Sequence, residues 1–452
     1  MKRIAVIDIG KTNVKLAVVD LAARVEIAVV TQPNRVLEGP PYPHFDTEGI
    51  WAFVIEGLRG FQAAQAIEGI SITTHGACGA LMAADGGLVA PVLDYEHTGP
   101  DDCRAAYEAI RPAFAETGSP ALPMGLNLGA QIFWQFSQDG GLADRVAWIA
   151  TWPQYWGFRL TGERATDVTS LGCHTDLWNP HRGGFSSLPA RLGIAGKLAA
   201  PRRPGDVLGG VTAEVARVTG LAPGTPVLCG IHDSNASLLP HLTDRASPFA
   251  VVSTGTWVVV MAIGGAAATL DPARDTLINV NARGDPVPSA RFMGGREYEM
   301  MRGGRASVAV DGDADRVLDG GIMLLPAVVA GCGPFANRRM AWQRRPDGDG
   351  EAEVALGYYL ALMTAECLAQ VGAQGPSIIE GPFAANPWYC DMLAAATERP
   401  VVRATSRTGT AIGAALLFDG GVERTVPAEP PVTADPRLGE YARQWRGAVE
   451  EG

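Results

Sequence analysis

Two short stretches carry the residue types that handle phosphate. The first, Ile4 to Asp20, sets β-favouring residues at 4–7 and 14–19 around a polar centre of Asp8, Gly10, Lys11, Thr12, Asn13 and Lys15. This reads as strand, turn and strand. Hydroxyl and backbone N–H donors at Thr12 and Asn13 can hold an anion, Lys15 adds positive charge, and Asp8 can hold a divalent metal through ordered water. A purely structural edge hairpin with an Asp-x-Gly turn accounts for the same residues. The stretch is not a Walker P-loop, because no G-x-x-x-x-G-K-[ST] follows the strand. The second stretch, Phe249 to Ile263, repeats the arrangement with a turn of Ser, Thr and Gly, and laid over the first it puts Gly255 on Gly10 and Ser253 on Asp8. Two related halves are expected, each opening with a donor-rich tip, and two such tips suit a polyphosphate better than one.

Other candidates sit at strand ends. Asp233 follows a strand over 226–229 and stands at the mouth of a helix over 235–239. It is either a helix cap or an acid that meets a ligand. His232 beside it is either a ligand contact or a satisfied core histidine. His75 and Gly76 end a strand over 69–74, where ligands gather in open α/β sheets. Asp94, Tyr95, Glu96 and His97 follow a β run and form either a charged surface loop or a polyol site.

The elements that must position these groups follow from pattern. A third strand lies over 22–31, and a helix over 47–66 has Thr47 as its cap and Ile50, Val54 and Leu58 on one stripe. Asp85-Gly86-Gly87 joins 80–84 and 88–93 as a hairpin. A helix is expected within 146–160 and another over 213–220. In the second half, strands are expected over 276–281, 291–293, 322–329, 377–380 and 400–404. Gly294-Gly295-Arg296-Glu297 suits a hinge or a ligand-facing turn. The best helix covers 353–371, further helices cover 388–397 and 409–415, and a Pro-rich tail over 423–436 precedes a short helix near 441–449.

At 452 residues two domains are expected. A formal charge of −11 leaves no basic stripe for a nucleic-acid partner. With no run of about 18 apolar residues and no signal-peptide core, a cytoplasmic protein without a membrane partner is expected. The seven cysteines, without a C-x-x-C pair, read as buried thiols. Cys173, His174 and His181 are the nearest approach to a metal cluster and a poor one.

Six pieces in order, DIGKTNVK (8–15), LTGERATDVTSLG (160–172), TGLAPGTPVLCGIHDSNAS (219–237), STGTW (253–257), GPFAANPW (381–388) and TGTAIGAA (408–415), resemble the FGGY family of carbohydrate kinases. The resemblance implies an α/β fold of two actin-like, ribonuclease-H-like domains, with mixed sheets flanked by helices and nucleotide and sugar in the interdomain cleft. The domains would cover 1–243 and 244–425, with 426–452 as tail and terminal helix. It implies ATP and Mg²⁺, a small-molecule sugar as partner, and a ketose or deoxyketose as acceptor; a homodimer stays open.

By the same resemblance, Asp233 is the catalytic base and Asp8, with Asp233, lies on the metal side. Thr12, Asn13 and Lys15 match the first phosphate loop, and Thr254, Gly255 and Thr256 the second. Gly381 and Asn386 match the adenosine loop, and Gly409 and Gly413 lie where the family closes round the nucleotide. His75, Gly76, Asp94, Tyr95, Glu96 and Glu297 would contact the sugar. The loop at 93–97 lacks the Trp-x-Asp-x-Arg piece of many relatives, which turns the expectation away from glycerol and xylulose and toward deoxyketoses such as L-rhamnulose or L-fuculose. A non-catalytic sensor, a polyol kinase and an actin-like filament protein are the competing readings. Asp8 and Asp233 together argue against the sensor, and the polar loop at 94–97 argues against the filament.

Overall fold

The computed structural model describes residues 2–305, 308–310, 312–404, 409–420 and 435–451. The chain divides into two compact units. One comprises Met1–Asp244, Ile278–Pro286 and Thr408–Arg424, and the other Arg245–Leu277, Val287–Arg407 and Thr425–Gly452. Each is an α/β unit built on a mixed sheet flanked by helices. Residues 423–434 of the expected Pro-rich tail lie outside the described residues.

In the first unit the sheet runs Val207–Gly210, Pro226–Leu228, Gly69–Thr74, Arg3–Ile9, Asn13–Asp20, Val25–Pro33, with Ile231–His232 also paired to Gly69–Thr74. Gly69–Thr74 is buried along its whole length, as expected for a central strand with both faces covered. Register decides the site. Asp8 lies opposite Lys15 on one side and Thr73 on the other. Ile9 and His232 both lie opposite Thr74. Three parallel strands therefore end level, and Gly10, His75 and Asp233 are the residues that leave them.

Several elements differ from the sequence expectation. Asp46 and not Thr47 caps the helix Thr47–Ala64, its carboxylate accepting from Gly49 N at 2.8 Å. Ile50, Val54, Leu58 and Phe61 form its buried stripe. Trp148–Thr151 is a strand, and the helix starts only at Trp152. That strand pairs with Gly79–Met82, displacing the hairpin expected across residues 80–93. The turn survives, with Ala83 N bonded to Gly87 O at 2.8 Å, but only the bridge from Met82 to Leu88 follows it. Local turn chemistry was satisfied while a distant strand supplied the better partner.

The second unit's sheet runs Thr276–Val280, Pro286–Phe292, Val258–Ile263, Phe249–Thr254, Ser377–Glu380, Val401–Arg403. Its hairpin Phe249–Thr254 and Val258–Ile263 has a parallel neighbour in Ser377–Glu380, repeating the first unit's arrangement. Ser253 pairs with Val259 where Asp8 pairs with Lys15, so the second tip is one residue shorter. The helix Asp349–Gln370 is long and apolar enough to cross a membrane by length and composition, yet 78% of its apolar window is buried inside the protein. Val354, Leu360 and Met363 place it in the unit's core.

The TGTAIGAA segment, expected in the second domain, belongs to the first unit. Its helix Thr410–Leu416 packs on the helix Asp233–Asp244 so closely that a Cβ at Gly413 would stand 1.8 Å from Ala236 O. Ser71 Oγ adds a bond to Ala414 O at 2.7 Å. Gly413's missing side chain makes room for protein backbone. In an open helix, Gly→Ala gains about 1 kcal/mol. Here overpacking outweighs that gain, and Gly413→Ala is expected to destabilise the protein by about 1–3 kcal/mol in urea unfolding; a stabilised variant would contradict the close packing.

Candidate active site

Asp233 opens the helix Asp233–Asp244, and its side chain is 35% exposed. Its Oδ1 accepts from Ser234 N at 2.6 Å and Ser234 Oγ at 3.3 Å, with His232 Nε2 also 3.3 Å away. All three contacts fall on one oxygen, which leaves Oδ2 open to a ligand on a partly exposed side chain. The segment before it is tied down from below. His232 N donates to Thr169 Oγ1 at 3.0 Å, and that hydroxyl donates to Asp167. Asp167 is fully buried and caps Val168–Leu171, accepting from Thr169 N at 2.7 Å and Ser170 N at 3.1 Å. Sequence pattern left Asp167 unplaced, although Asp followed by Thr and Ser is a recognisable cap signal. Gly76 is required beside this assembly, since a Cβ there would lie 2.8 Å from His232 Nε2.

Asp8 lies on the adjoining strand end. Burial raises its carboxyl to about 6, Lys15 opposing the shift and Asp233 and Glu26 adding to it. Lys15 Nζ is 2.9 Å from Glu26 and 3.9 Å from Asp8. Lys15 is therefore shared with a carboxylate that sequence reading had not linked to the site. Thr12 and Asn13 at the tip are exposed, joined by a bond from Asn13 Nδ2 to Thr12 Oγ1 at 3.2 Å. Among the described residues no group of three or more metal-ligating side chains occurs. A cation enclosed by protein ligands does not fit. Asp8, whose affinity for positive charge is raised by burial and by Asp233, does fit Mg²⁺, which keeps several waters and binds through one or two carboxylates plus phosphates.

The third group faces the same strand ends. His75 is buried among Phe45, Tyr95 and Trp152, with ring centroids at 5.1, 5.4 and 6.4 Å. Its Nδ1 is 2.8 Å from Gly76 O, so Nδ1 carries the proton, and Nε2 is buried without a protein partner. Burial lowers its pKa to about 4, which keeps the ring neutral and Nε2 an acceptor. Lys11, given no role from sequence, bonds to Asp94 and stands 3.1 Å from Glu96. Its ammonium also lies over the rings of Tyr95, at 4.9 Å, and Phe45, at 5.2 Å. Asp94, Tyr95 and Glu96 are thus gathered with His75, and Lys11 is the residue that gathers them.

In the second unit Gly255 and Thr256 are exposed at their tip. Thr254 is not free for phosphate: its hydroxyl donates to Glu380 O and accepts from Phe383 N at 3.1 Å, locking the hairpin to the loop that begins at Gly381. Gly381 has φ +80°, and a Cβ there would meet Thr254 O at 2.0 Å. Asn386 caps Pro387–Thr397, accepting from Tyr389 N at 3.2 Å. Gly294-Gly295-Arg296-Glu297, expected as a hinge or ligand-facing turn, is the first turn of the helix Gly294–Arg302. A Cβ at Gly295 would sit 2.0 Å from Gly255 O, so this glycine seats the second tip. Glu297, expected at the sugar, is corrected to a core residue: it is 1% exposed and accepts from Val329 N and Tyr359 OH, each at 3.0 Å. Gly409 precedes the helix Thr410–Leu416 in the first unit and is half-buried.

Comparison with known proteins follows this geometry. Residues 3–240 match the family model described as the FGGY family of carbohydrate kinases, N-terminal domain, and residues 246–426 match Carbohydrate kinase FGGY, C-terminal domain. A solved carbohydrate kinase from Novosphingobium aromaticivorans is 36% identical, with TM-score 0.90 over 98% of this chain and 100% of that one. L-fuculokinase of Salmonella typhi is 27% identical over 272 residues, 58% of this chain and 57% of that protein. A probable L-xylulose kinase of Pasteurella multocida is 25% identical over 279 residues, 57% of this chain and 55% of that protein. The chain thus spans about half the length of the curated relatives it matches.

The buried Glu297 generates a stability prediction. Burial raises its carboxyl from 4.5 to about 7, against the lowering effect of its bonds from Val329 and Tyr359. The native state holds this proton up to about pH 7 while the unfolded chain releases it near 4.5. Stability from this group is therefore present at low pH and is lost as pH rises through that window. Glu297→Gln should shrink the fall in Tm between about pH 5 and about pH 8 relative to the parent; an unchanged fall would refute the assignment.

Proposed function

The chain belongs to the FGGY family of carbohydrate kinases, and on that premise we propose that it transfers the γ-phosphoryl group of ATP to a primary hydroxyl of a ketose or deoxyketose, with Asp233 as general base. The observation that carries this reading is the state of Asp233, whose Oδ1 is committed to Ser234 and His232 while Oδ2 stays open. An acid held by one oxygen presents the other at a defined angle, as a base must to take a hydroxyl proton. The sugar oxygen then attacks phosphorus as its proton passes to Oδ2, and the bond to ADP breaks in line.

The remaining roles are proposed from the family's motifs. Thr12, Asn13 and Lys15 of the first unit and Gly255 and Thr256 of the second are the donors proposed for the phosphates. Asp8 and Asp233 would hold Mg²⁺, which when bound neutralises phosphate charge. Gly381, Asn386 and Gly409 are proposed to border the adenosine. His75 Nε2 accepts from one sugar hydroxyl, and Asp94 and Glu96 accept from others. The names of the relatives, L-fuculokinase, probable L-xylulose kinase and rhamnulokinase, support a ketose acceptor.

A coupled ADP-release screen over ketoses, deoxyketoses and polyols tests the reading. Sugar-dependent release is expected to be strongest with a ketose and to fall by about 10²–10⁴-fold in Asp233→Asn. Full activity in that variant would remove Asp233 from the mechanism, and a clear preference for glycerol or an aldose would remove the ketose. Because the Asp8 carboxyl sits at about 6, protons compete with metal below that value. The apparent KM for MgATP should rise as pH falls through about 6, and Asp8→Asn should raise it at all pH values and flatten the profile.

A further inference from the structure

Lys11 stands at the tip of the first hairpin, where phosphate donors are expected, yet its ammonium is turned to the loop at 94–96. It bonds to Asp94, lies 3.1 Å from Glu96, and is sandwiched against Phe45 and Tyr95. The Lys11 and Asp94 side chains are 19% and 9% exposed, so their pairing is partly desolvated, while Glu96 at 56% reaches outward. Glu96 N donates to Asp94 Oδ1 at 3.2 Å, the oxygen that also takes Lys11. The second oxygen of Asp94 is thereby left to a ligand. One ammonium between two carboxylates leaves this wall with a net negative charge, and Asp8 and Asp233 add further negative charge at the adjoining strand ends. The His75 ring packs against Tyr95 at 5.4 Å and Tyr95 carries the Lys11 ammonium at 4.9 Å, so the wall adjoins the histidine that leaves its strand level with Asp233.

We propose that Lys11, Asp94 and Glu96 form a charge-selecting clamp that admits neutral polyhydroxy sugars and rejects sugar acids. This rests on the sugar-kinase reading and adds to it the substrate's charge class. Carboxylates accept hydrogen bonds from sugar hydroxyls, and a charged acceptor strengthens them. A carboxylate-bearing sugar would meet two like charges in a partly desolvated wall, with the one nearby ammonium already neutralised. Lys11 acts as a positioning residue: it holds both acids in place and is not itself available to a substrate anion.

The test uses the full chain, L-fuculose, L-rhamnulose and L-xylulose as neutral probes and D-gluconate as the acid probe, read by ADP release and by thermal shift without nucleotide. In the parent a neutral ketose is used and D-gluconate neither reacts nor competes. Lys11→Met should raise KM for the neutral sugar while leaving KM for MgATP unchanged, with partial recovery in Lys11→Arg. Asp94→Asn with Glu96→Gln should raise that KM about tenfold or more and should let D-gluconate compete, because the ammonium is freed. Adding Lys11→Met should abolish the competition. D-gluconate competing in the parent, no competition in the double variant, or a Lys11→Met effect on KM for MgATP instead of the sugar would each overturn the clamp. Neutral-sugar binding without ADP release, with the same variant pattern in thermal shift, would sink the kinase reading and leave the clamp standing. Binding of none of the neutral probes would overturn the clamp as well.

Discussion

The level ending of three parallel strands is the constraint on which the site depends. Arg3–Ile9, Gly69–Thr74 and Ile231–His232 come from positions up to about two hundred residues apart, and their hydrogen-bond ladders bring Ile9, Thr74 and His232 into one row. A one-residue slip in any of them would turn its side chains to the other face of the sheet. Asp8, His75 and Asp233 would then no longer meet. The burial of Gly69–Thr74 on both faces makes such a slip expensive, because Ile70 and Ile72 would exchange places with Ser71 and Thr73 in two closely packed faces.

On that frame the electrostatics are arranged by what each acid is allowed to touch. Asp233 has donors on one oxygen and exposure on the other. Burial raises the Asp8 carboxyl to about 6, so it carries its charge above that value and loses it below. Asp94 and Glu96 are compensated by Lys11, and Glu26 draws Lys15 partly away from Asp8. Two lysines on one hairpin thus face different carboxylates. Lys11 is taken up by Asp94 and Glu96 and Lys15 is shared between Asp8 and Glu26, so acids outnumber lysines around the hairpin, a setting that suits a cation accompanying phosphate.

The glycines show how one residue type serves unlike ends. Gly413 and Gly381 occur in motifs the resemblance ties to nucleotide and Gly295 in a pair expected at a hinge or ligand-facing turn, and all three are forced by protein backbone: Ala236 O, Thr254 O and Gly255 O lie where their side chains would be. Close backbone approach was the correct physical reading of small residues in these motifs. The partner that approaches is the protein itself, which fixes the helix Asp233–Asp244, the second tip and the loop after Ser377–Glu380 in position. Their contribution to function is through shape.

Much of the site was legible in sequence because its parts are local. Hairpins and strand ends depend on residues within a few positions of one another, so the hairpins that carry Asp8, Thr12 and Asn13 and, one residue shorter, Gly255 and Thr256, and the strand end before Asp233, were legible from type and spacing. The six ordered motifs sufficed to indicate the family. What only the tertiary structure decided were the pairings made across long separations. Lys11 meets Asp94, Trp148–Thr151 takes the place of a local hairpin partner, Gly413 meets Ala236, and Glu297 turns into the core to meet Tyr359. Nothing near Glu297 in the chain distinguishes an acid bound for a sugar from one bound for a buried tyrosine. That choice is made by which surfaces pack together, a property of the whole fold.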